Sequence, residues 1–374
     1  MQAAAWEALF EAPCLRWQVN ASVGSQFTHW VLDSRLRGND GQALFNPAST
    51  LPVVFVCGCV TSGCNMMQSA LKPSFLMPHR SISMTQPTPC RRQDFRFFHR
   101  LRVRWVEVDM QKIVFNAHYL MYFDTAVSDY WRALAMPYEA SMQQLGGDLY
   151  VKKASIDYHG SARFDDRLDV ALKCARIGNS SMVFTGAIFR DDTLLIDGEL
   201  VYVFADPVSQ TSRPVPDALR ALLTGYEAGQ AMLQFKTGSW AALGAHVSAV
   251  RSSVFAHEQG IPADKVWDDA DETALHVVAY NGLGQSVAAA RLVKTGNGTS
   301  RLGRMAVTKV LRGSGVGRAL LHALLDAARQ RGDTHVLLHA QRSAEGFYQR
   351  AGFAPQGQAF TEVGIEHIEM LKQL

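Results

Sequence analysis

The chain has 374 residues, of which 48% are hydrophobic and 19% are charged, and its net charge is +3. That length predicts two or three domains, and the weak charge argues against nucleic acid as the main partner, because the expected basic stripe is missing. The best apolar run, 51–60, is too short to span a membrane and contains Pro52 and Gly58.

Residues 1–83 lack sustained strand or helix periodicity, and Met84 opens a short polar stretch before well-patterned sequence begins. We expect Met84 to be the real start, with an upstream reading-frame extension before it. A poorly ordered tail is the alternative, and residues 1–93 are left without a function. Five of the six cysteines lie in the first 90 residues without zinc-site spacing. We therefore expect neither a disulfide framework nor a metal site. We expect the protein to work in a reducing, cytoplasmic setting.

Residues 94–206 have the pattern of an α+β domain. An alternating segment, 98–108, predicts a strand, and apolar residues at helical spacing predict a helix over 117–134. Strand-like segments separated by polar turns follow at 149–158, 167–177, 181–190 and 194–204. One long helix followed by a meander of strands predicts a helix packed against an antiparallel sheet.

Residues 207–233 are predicted to form a linker with a short helix over 217–228, because the segment begins with three prolines among small polar residues. Residues 234–374 then alternate between helical and strand-like patterns, which predicts a mixed α/β domain. Helices are expected at 240–257, 317–331 and 343–351, and strands at 275–280, 286–293, 301–307, 335–340 and 366–371. A glycine-rich turn, 313–317, lies in the middle of this domain.

Asp109 stands between the end of a predicted strand and the start of the long helix. The free amides at a helix start carry partial positive charge and can polarise a carbonyl oxygen. A carboxylate beside them can attack that carbonyl or activate water, which suits hydrolysis of a thioester. On spacing alone, the alternative that Asp109 is a turn residue is favoured.

Residues 96–205 carry a motif that extends this interpretation. It comprises Asp109 and the segments 103–105, 113–116, 118–120 and 122–124. On these residues the domain resembles the 4-hydroxybenzoyl-CoA thioesterase-like hotdog family, particularly its YbgC/FadM-like acyl-CoA thioesterase branch. The resemblance implies that Asp109 is the catalytic carboxylate, that the backbone amide near Asn116 binds the thioester carbonyl, and that subunits pair into a homodimer or higher oligomer.

Two positions depart from that family pattern. The chain has Lys112 where the family often has glycine, and His118 where it often has asparagine. We expect Lys112 to alter the loop or to reach a CoA phosphate, and His118 to be a helix residue rather than a base. Four aromatic residues of the helix region are candidates for a pocket or for the core, and the core is favoured: Phe115, Tyr119, Tyr122 and Trp131.

Arg312 to Gly317 form a second candidate site between a predicted strand and a predicted helix. Glycines allow backbone amides to approach a phosphate, and a helix N-terminus favours a pyrophosphate. The spacing of Arg312, Gly315 and Gly317 resembles the acetyl-CoA-binding motif of the GNAT superfamily. The resemblance implies these CoA-binding residues: Met305, Val307, Arg312, Gly313, Gly315, Val316 and Gly317.

Other segments of residues 235–374 support the same resemblance. Residues 344–353 resemble the second GNAT motif, whose tyrosine, Tyr348 here, commonly protonates the departing CoA thiolate. The segments 254–259 and 364–370 are similar to the ElaA/YjcF-like branch. Glu258 is a candidate base for the acceptor amine, directly or through water, and a surface glutamate is the equally weighted alternative.

The two resemblances together predict a bifunctional acyl-CoA enzyme. The first domain is expected to hydrolyse acyl-CoA thioesters, and the second to transfer acetyl from acetyl-CoA to an amine. Acyl-CoA and acetyl-CoA are then substrates, and no permanently bound cofactor is expected. The alternative is that only one domain is catalytic, the other serving as an acyl-CoA-binding or assembly module.

Overall fold

The computed structural model describes residues 90–296, 298–362 and 364–374. The expectations about residues 1–83 and about Met84 lie outside the described residues. Within the described residues, no helix is both long enough and apolar enough to cross a membrane.

The first domain is an antiparallel sheet covered on one face by a long helix. Its elements are β1 (Phe97–Arg102), α1 (Asn116–Ala133), α2 (Tyr138–Leu145), β2 (Asp148–Tyr158), β3 (Arg167–Ile177), β4 (Ser181–Arg190), β5 (Thr193–Ala205) and α3 (Asp217–Glu227). The described strands follow the order β1-β3-β4-β5-β2, with every neighbouring pair antiparallel. β2 therefore lies at one edge of the sheet.

The core of this domain forms because α1 and α3 direct aromatic and aliphatic side chains onto the sheet. Tyr130 and Phe123 of α1 are almost fully buried, as are Phe184 of β4 and Leu223 of α3. The ring of Tyr130 meets those of Phe184 and Tyr226 edge to face. The helix in the predicted linker region, α3, thus packs into the core of the first domain.

The second domain is a mixed sheet with helices on both faces. Its elements are β6 (Leu233–Gly238), α4 (Trp240–Arg251), a π-helix (Ser252–Glu258), α5 (Ala263–Val266), α6 (Ala270–Thr273), β7 (Leu275–Asn281), β8 (Ser286–Gly296), β9 (Thr299–Val307), α7 (Val316–Gln330), β10 (His335–Gln341), α8 (Glu345–Arg350), β11 (Ala354–Glu362) and β12 (Ile365–Gln373). The described strands follow the order β11-β12-β10-β9-β8-β7-β6. Only β9 and β10 are parallel among these strands.

Alternating residues of the central strands divide this domain into two cores. Val277 of β7 faces α7 and packs near Leu320, whereas Val278 faces α4 and packs near Val247. Alternation of this kind follows from the period of two in a strand. The arrangement places the N-terminus of α7 beside the strands β8, β9 and β10.

Two sequence predictions are corrected by the structure, and two strands were missed. The strand expected over 98–108 ends at Arg102, because the chain then forms a 3-10 turn over Trp105–Glu107. The helix expected over 240–257 changes to a π-helix at Ser252. Two strands were not predicted, β6 and β11, and both are largely exposed at the edges of their sheet. β11 lacks apolar alternation, and in β6 the alternation is confined to Leu233 and Phe235.

Candidate active sites

Asp109 and the start of α1 line one cavity in the first domain. The cavity has a volume of about 700 Å³ and is bordered by Asp109, Asn116, Tyr119 and Tyr158, among others. One oxygen of the Asp109 carboxylate, Oδ1, accepts a hydrogen bond of 2.8 Å from the Gln111 amide. The structure therefore brings together the two residues that the sequence assigned to thioester chemistry.

The helix α1 begins at Asn116 without a side-chain hydrogen bond from the residue that precedes it, Phe115. The first amides of a helix have no partner within the helix, and here they lie at the cavity that Asp109 borders. Partial positive charge at this helix end favours an oxygen that becomes negative during reaction. The arrangement can polarise a carbonyl next to a carboxylate.

Glu107 is a buried carboxylate that fixes the loop beneath Asp109. Its Oε2 accepts hydrogen bonds from the Tyr122 hydroxyl at 2.7 Å and from the Arg104 amide at 2.7 Å. Its backbone carbonyl accepts one from the Phe115 amide at 2.9 Å. Burial alone would raise the pKa of Glu107, but the hydrogen bonds from Arg104 and Tyr122 outweigh burial and lower it. Sequence reasoning missed this residue, because alternation placed it inside a strand.

The aromatic residues and the histidine singled out in the first domain differ in whether they line the cavity. Phe115 and Tyr119 line the cavity, and the Tyr119 hydroxyl accepts a hydrogen bond of 3.0 Å from the Ala162 amide. Tyr122 instead contacts Glu107. His118 is not among the residues that line the cavity, and its ring lies 3.3 Å from the sulfur of Met121.

Lys112 has a φ of 62°, in the left-handed region that favours glycine. Its amide donates a hydrogen bond of 3.0 Å to the Asp109 carbonyl, and the Asp109 amide donates one of 2.9 Å to Ile113. The loop is therefore a tight turn in which lysine adopts a backbone conformation that favours glycine.

The glycine-rich turn of the second domain opens directly into α7. Gly313 and Gly315 have φ values of 84° and 95°, and a Cβ at either would meet no atom within 4 Å. In the described part of the chain, the amides of Gly315, Val316 and Gly317 donate to no backbone carbonyl. Free amides at the start of a 15-residue helix can bind an anion such as a pyrophosphate.

Met305 and Val307 lie beside the start of α7, and Tyr348 contacts Met305. The Tyr348 hydroxyl is 3.6 Å from the sulfur of Met305. A Cβ at Gly317 would be 3.6 Å from Val307 Cγ2 and 3.7 Å from Met305 Cε, so alanine would also fit there. Burial raises the pKa of the Tyr348 phenol to about 12. The structure thus groups the predicted acid with three of the predicted CoA-binding residues.

The strands β9 and β10 separate near this group. Their parallel pairing runs from Thr299 and His335 to Leu302 and Leu338, and both strands continue beyond it. β9 also bulges against β8, where Arg304 has a φ of 53°. Separated strands leave backbone groups available to a ligand.

Glu258 forms an ion pair with Arg312, so two predicted site residues contact each other. Oε1 and Oε2 of Glu258 accept hydrogen bonds of 2.6 and 2.7 Å from the two terminal nitrogens of Arg312. Arg312 Nε also donates to the Val307 carbonyl at 3.1 Å. The hydrogen bonds from Arg312 lower the pKa of Glu258, which makes this carboxylate a weaker base than an unpaired glutamate.

A buried charge cluster, missed by sequence reasoning, fixes the segment that follows the π-helix. Arg251 is fully buried and donates hydrogen bonds of 2.8 and 2.9 Å to the Asp271 carboxylate. Arg291 donates two hydrogen bonds of 2.6 Å to Asp268 and lies 2.7 Å from Asp271. Removing one member of such a buried cluster leaves an uncompensated charge. The cluster therefore attaches this segment to α4 and β8.

Comparisons with known proteins match the two domains separately. The family described as "Thioesterase superfamily" matches residues 111–196, and the family described as "Acetyltransferase (GNAT) domain" matches residues 247–374. "Uncharacterized N-acetyltransferase YjcF" of Bacillus subtilis is 35% identical over 124 residues, which are 33% of this chain and 87% of that protein.

Two further relatives are similar to one domain each. "Acyl-CoA thioester hydrolase YbgC" of Escherichia coli O6:H1 is 27% identical over 122 residues, which are 32% of this chain and 90% of that protein. Escherichia coli ElaA, whose crystal structure is known, is 28% identical in sequence. The match covers 38% of this chain and 100% of the ElaA chain, with a TM-score of 0.35. The chain therefore joins a thioesterase-superfamily hotdog domain to an acetyltransferase domain, and through the second it belongs to the GNAT family.

Proposed function

We propose that the chain is a bifunctional acyl-CoA enzyme, which hydrolyses acyl-CoA thioesters in its first domain and acetylates an amine in its second. The observation that supports it best is that each domain presents an uncapped helix start beside a candidate catalytic side chain. Asp109 borders the cavity at the start of α1, and Tyr348 contacts Met305, which lies beside the start of α7.

In the first domain, the amide at Asn116 would bind the thioester carbonyl oxygen. Asp109 would then either accept a proton from an attacking water molecule or attack the carbonyl carbon itself. In both routes the bond between the carbonyl carbon and sulfur breaks, and CoA leaves as a thiolate that takes up a proton. The acyl group leaves as a carboxylic acid, and a second attack by water is needed when Asp109 has formed an anhydride.

Replacement of the carboxylate tests this assignment. Asp109→Asn keeps the side-chain shape but removes the base or nucleophile, and we expect acyl-CoA hydrolysis to fall by roughly 100- to 10,000-fold. The measurement is thiol release from acyl-CoA in the full chain, with Asp192→Asn at an exposed turn as the matched control. Hydrolysis at the wild-type rate by Asp109→Asn would remove Asp109 from the mechanism.

In the second domain, the glycine-rich turn would bind the CoA pyrophosphate through its amides. The neutral acceptor amine attacks the acetyl carbonyl, the carbon–sulfur bond breaks, and Tyr348 donates its hydrogen bond or proton to the departing thiolate. Glu258 remains the candidate base, directly or through water, although its pairing with Arg312 weakens it. The acceptor is proposed only as an amine.

Gly315→Glu tests the pyrophosphate site. Glutamate adds a negative charge next to the phosphates and occupies a φ of 95° that non-glycine residues rarely adopt. We expect at least a tenfold loss of CoA affinity, measured by calorimetry on the full chain. Gly332→Glu is the control, because Gly332 has a φ of 84° at the other end of the same helix and equally open space. Equal CoA affinity in both variants would refute the assignment.

A further inference from the structure

A second cavity of about 550 Å³ lies at the other end of α1. It shares no lining residue with the cavity of Asp109. Its walls are mainly aromatic and aliphatic, with Trp131, Tyr138 and Tyr202 among them. A cavity of this size and lining is suited to an apolar chain or ring.

One wall of the second cavity comes from the acetyltransferase domain. Val310, which precedes Arg312 by two residues, lines the cavity together with residues of the hotdog domain. Arg132 of α1 donates a hydrogen bond of 3.1 Å from Nε to the Val310 carbonyl. The turn before the glycine-rich loop is thereby attached to the hotdog helix and borders its cavity.

Within one subunit the two cavities line different stretches of α1. At the rise of an α-helix, Asn116 and Trp131 are separated along α1 by about 22 Å, and the nearest lining residues, Tyr119 and Asp124, by about 7.5 Å. β2 connects the two cavities along its helix-facing side, with Val151 at the second cavity and Tyr158 at the first. A β-bulge between Val151 and Lys153 keeps both on that side.

The edge of β2 with which no described strand pairs is complementary in charge to a second copy of itself. Antiparallel pairing about a two-fold axis at Ser155 places Lys153 of each copy opposite Asp157 of the other. Both side chains are exposed on the face away from α1, and opposite charges across a strand pair are stabilising. A two-fold axis at Ala154 or at Ile156 would not place Lys153 opposite Asp157. The same pairing brings Tyr158 and His159 next to Val151 of the second copy.

We propose that the second cavity holds the acyl chain of a thioester hydrolysed at Asp109 of the other copy, and that Val310 limits its length. The proposal rests on the proposed thioesterase function. It makes the acetyltransferase domain a determinant of hydrolase specificity, because Val310 of that domain, a half-exposed side chain, lines the pocket. The ligand class is a CoA thioester with an apolar acyl group long enough to pass from one subunit to the other.

Val310 variants test the specificity element. The measured quantity is the ratio of kcat/KM for long-chain acyl-CoA to kcat/KM for short-chain acyl-CoA. Val310→Ala lengthens the pocket and should raise this ratio by about tenfold. Val310→Trp shortens the pocket and should lower the ratio by about tenfold. The assay uses a series of saturated acyl-CoAs from four to sixteen carbons. Lys309→Ala, on the same turn but outside the cavity lining, should leave the ratio unchanged. An unchanged ratio in both Val310 variants would overturn the proposal.

Mixed dimers test which subunit supplies the pocket. Ala140→Trp fills the second cavity from an exposed position on α2. A dimer of one Asp109→Asn subunit and one Ala140→Trp subunit should hydrolyse long-chain acyl-CoA at about half the wild-type rate, because one of its sites combines both intact parts. If the cavity served its own subunit, both sites would carry one defect and long-chain hydrolysis would stay lost.

These outcomes separate the inference from the proposed function. If wild-type protein hydrolyses no acyl-CoA of any length, the thioesterase function itself fails. If it hydrolyses them but neither Val310 nor the mixed dimer behaves as stated, only the pocket assignment fails.

Discussion

The phenol of Tyr348 shows how burial at a single residue determines its chemistry. Because burial raises its pKa to about 12, the hydroxyl keeps its proton at neutral pH. The proton is therefore present when a thiolate departs nearby. The raised pKa also makes the phenol a weak acid, so we expect its main effect to be a hydrogen bond that strengthens as charge develops on sulfur.

Tyr348→Phe should lower kcat for acetyl transfer by about 100-fold and leave KM for acetyl-CoA within about twofold. Its hydroxyl has the sulfur of Met305 as its only hydrogen-bond partner among the described residues, so the fold should be retained. Ionisation of Tyr348 should not appear in the wild-type pH profile of kcat below about pH 10, since the phenol is protonated throughout that range. Steady-state kinetics between pH 6 and 10 measure both.

Tyr280→Phe provides the control for that experiment. Tyr280 lies in the same domain, and its buried hydroxyl has no hydrogen-bond partner among the described residues. Its removal should not change kcat. A Tyr348→Phe variant with the wild-type kcat would exclude the tyrosine as the acid.

At the scale of elements, the loop before α1 contains backbone strain, because a lysine occupies a left-handed position. Lys112 adopts a φ of 62°, whereas its neighbour Gln111 has no positive φ. Replacing either by glycine adds flexibility to the unfolded chain, but only Lys112→Gly also relieves the left-handed conformation. The free energy of unfolding should therefore be higher in Lys112→Gly than in Gln111→Gly by about 1–2 kcal/mol.

Urea titration followed by tryptophan fluorescence of the full chain measures this difference. The hotdog transition should move to higher urea in Lys112→Gly than in Gln111→Gly. Equal midpoints would show that the turn tolerates lysine without strain.

Elements with one buried face were predictable from the sequence, whereas elements defined by polar contacts were not. The predicted strand over 167–177 coincides with β3, because its apolar residues face a core. The segment Trp105–Glu107 was misassigned, since Glu107 is buried through hydrogen bonds that no hydrophobic pattern reveals. The change to a π-helix at Ser252 and the pairing of Glu258 with Arg312 depend on distant residues for the same reason.

The candidate sites show the same division. Asp109, Asn116 and the glycine-rich turn were found from motifs, because these combine a helix start with small or acidic residues at fixed spacing. Val310 was not assigned to any pocket, and Trp131 was favoured as a core residue over a pocket residue, because the second cavity forms only where two domains meet.

At the scale of the whole molecule, the two domains meet at the end of α1 and the hairpin between β7 and β8. The side-chain amide of Asn281 donates a hydrogen bond of 3.1 Å to the Ala135 carbonyl. The Ser141 hydroxyl donates one of 2.9 Å to the side-chain oxygen of Gln285. Ala135 is buried and packs with the core of the acetyltransferase domain. The domains therefore share a packed boundary, although each candidate site uses its own helix start.

A crossed assay of two variants in the full chain tests the central claim, that each domain has a separate acyl-CoA active site. Asp109→Asn and Gly315→Glu are each assayed for thiol release from acyl-CoA without amine and for amine-dependent release from acetyl-CoA. We predict that Asp109→Asn loses only the first activity and Gly315→Glu only the second, each by at least about tenfold. Wild-type protein with a single activity, or one variant that abolishes both, would contradict the account.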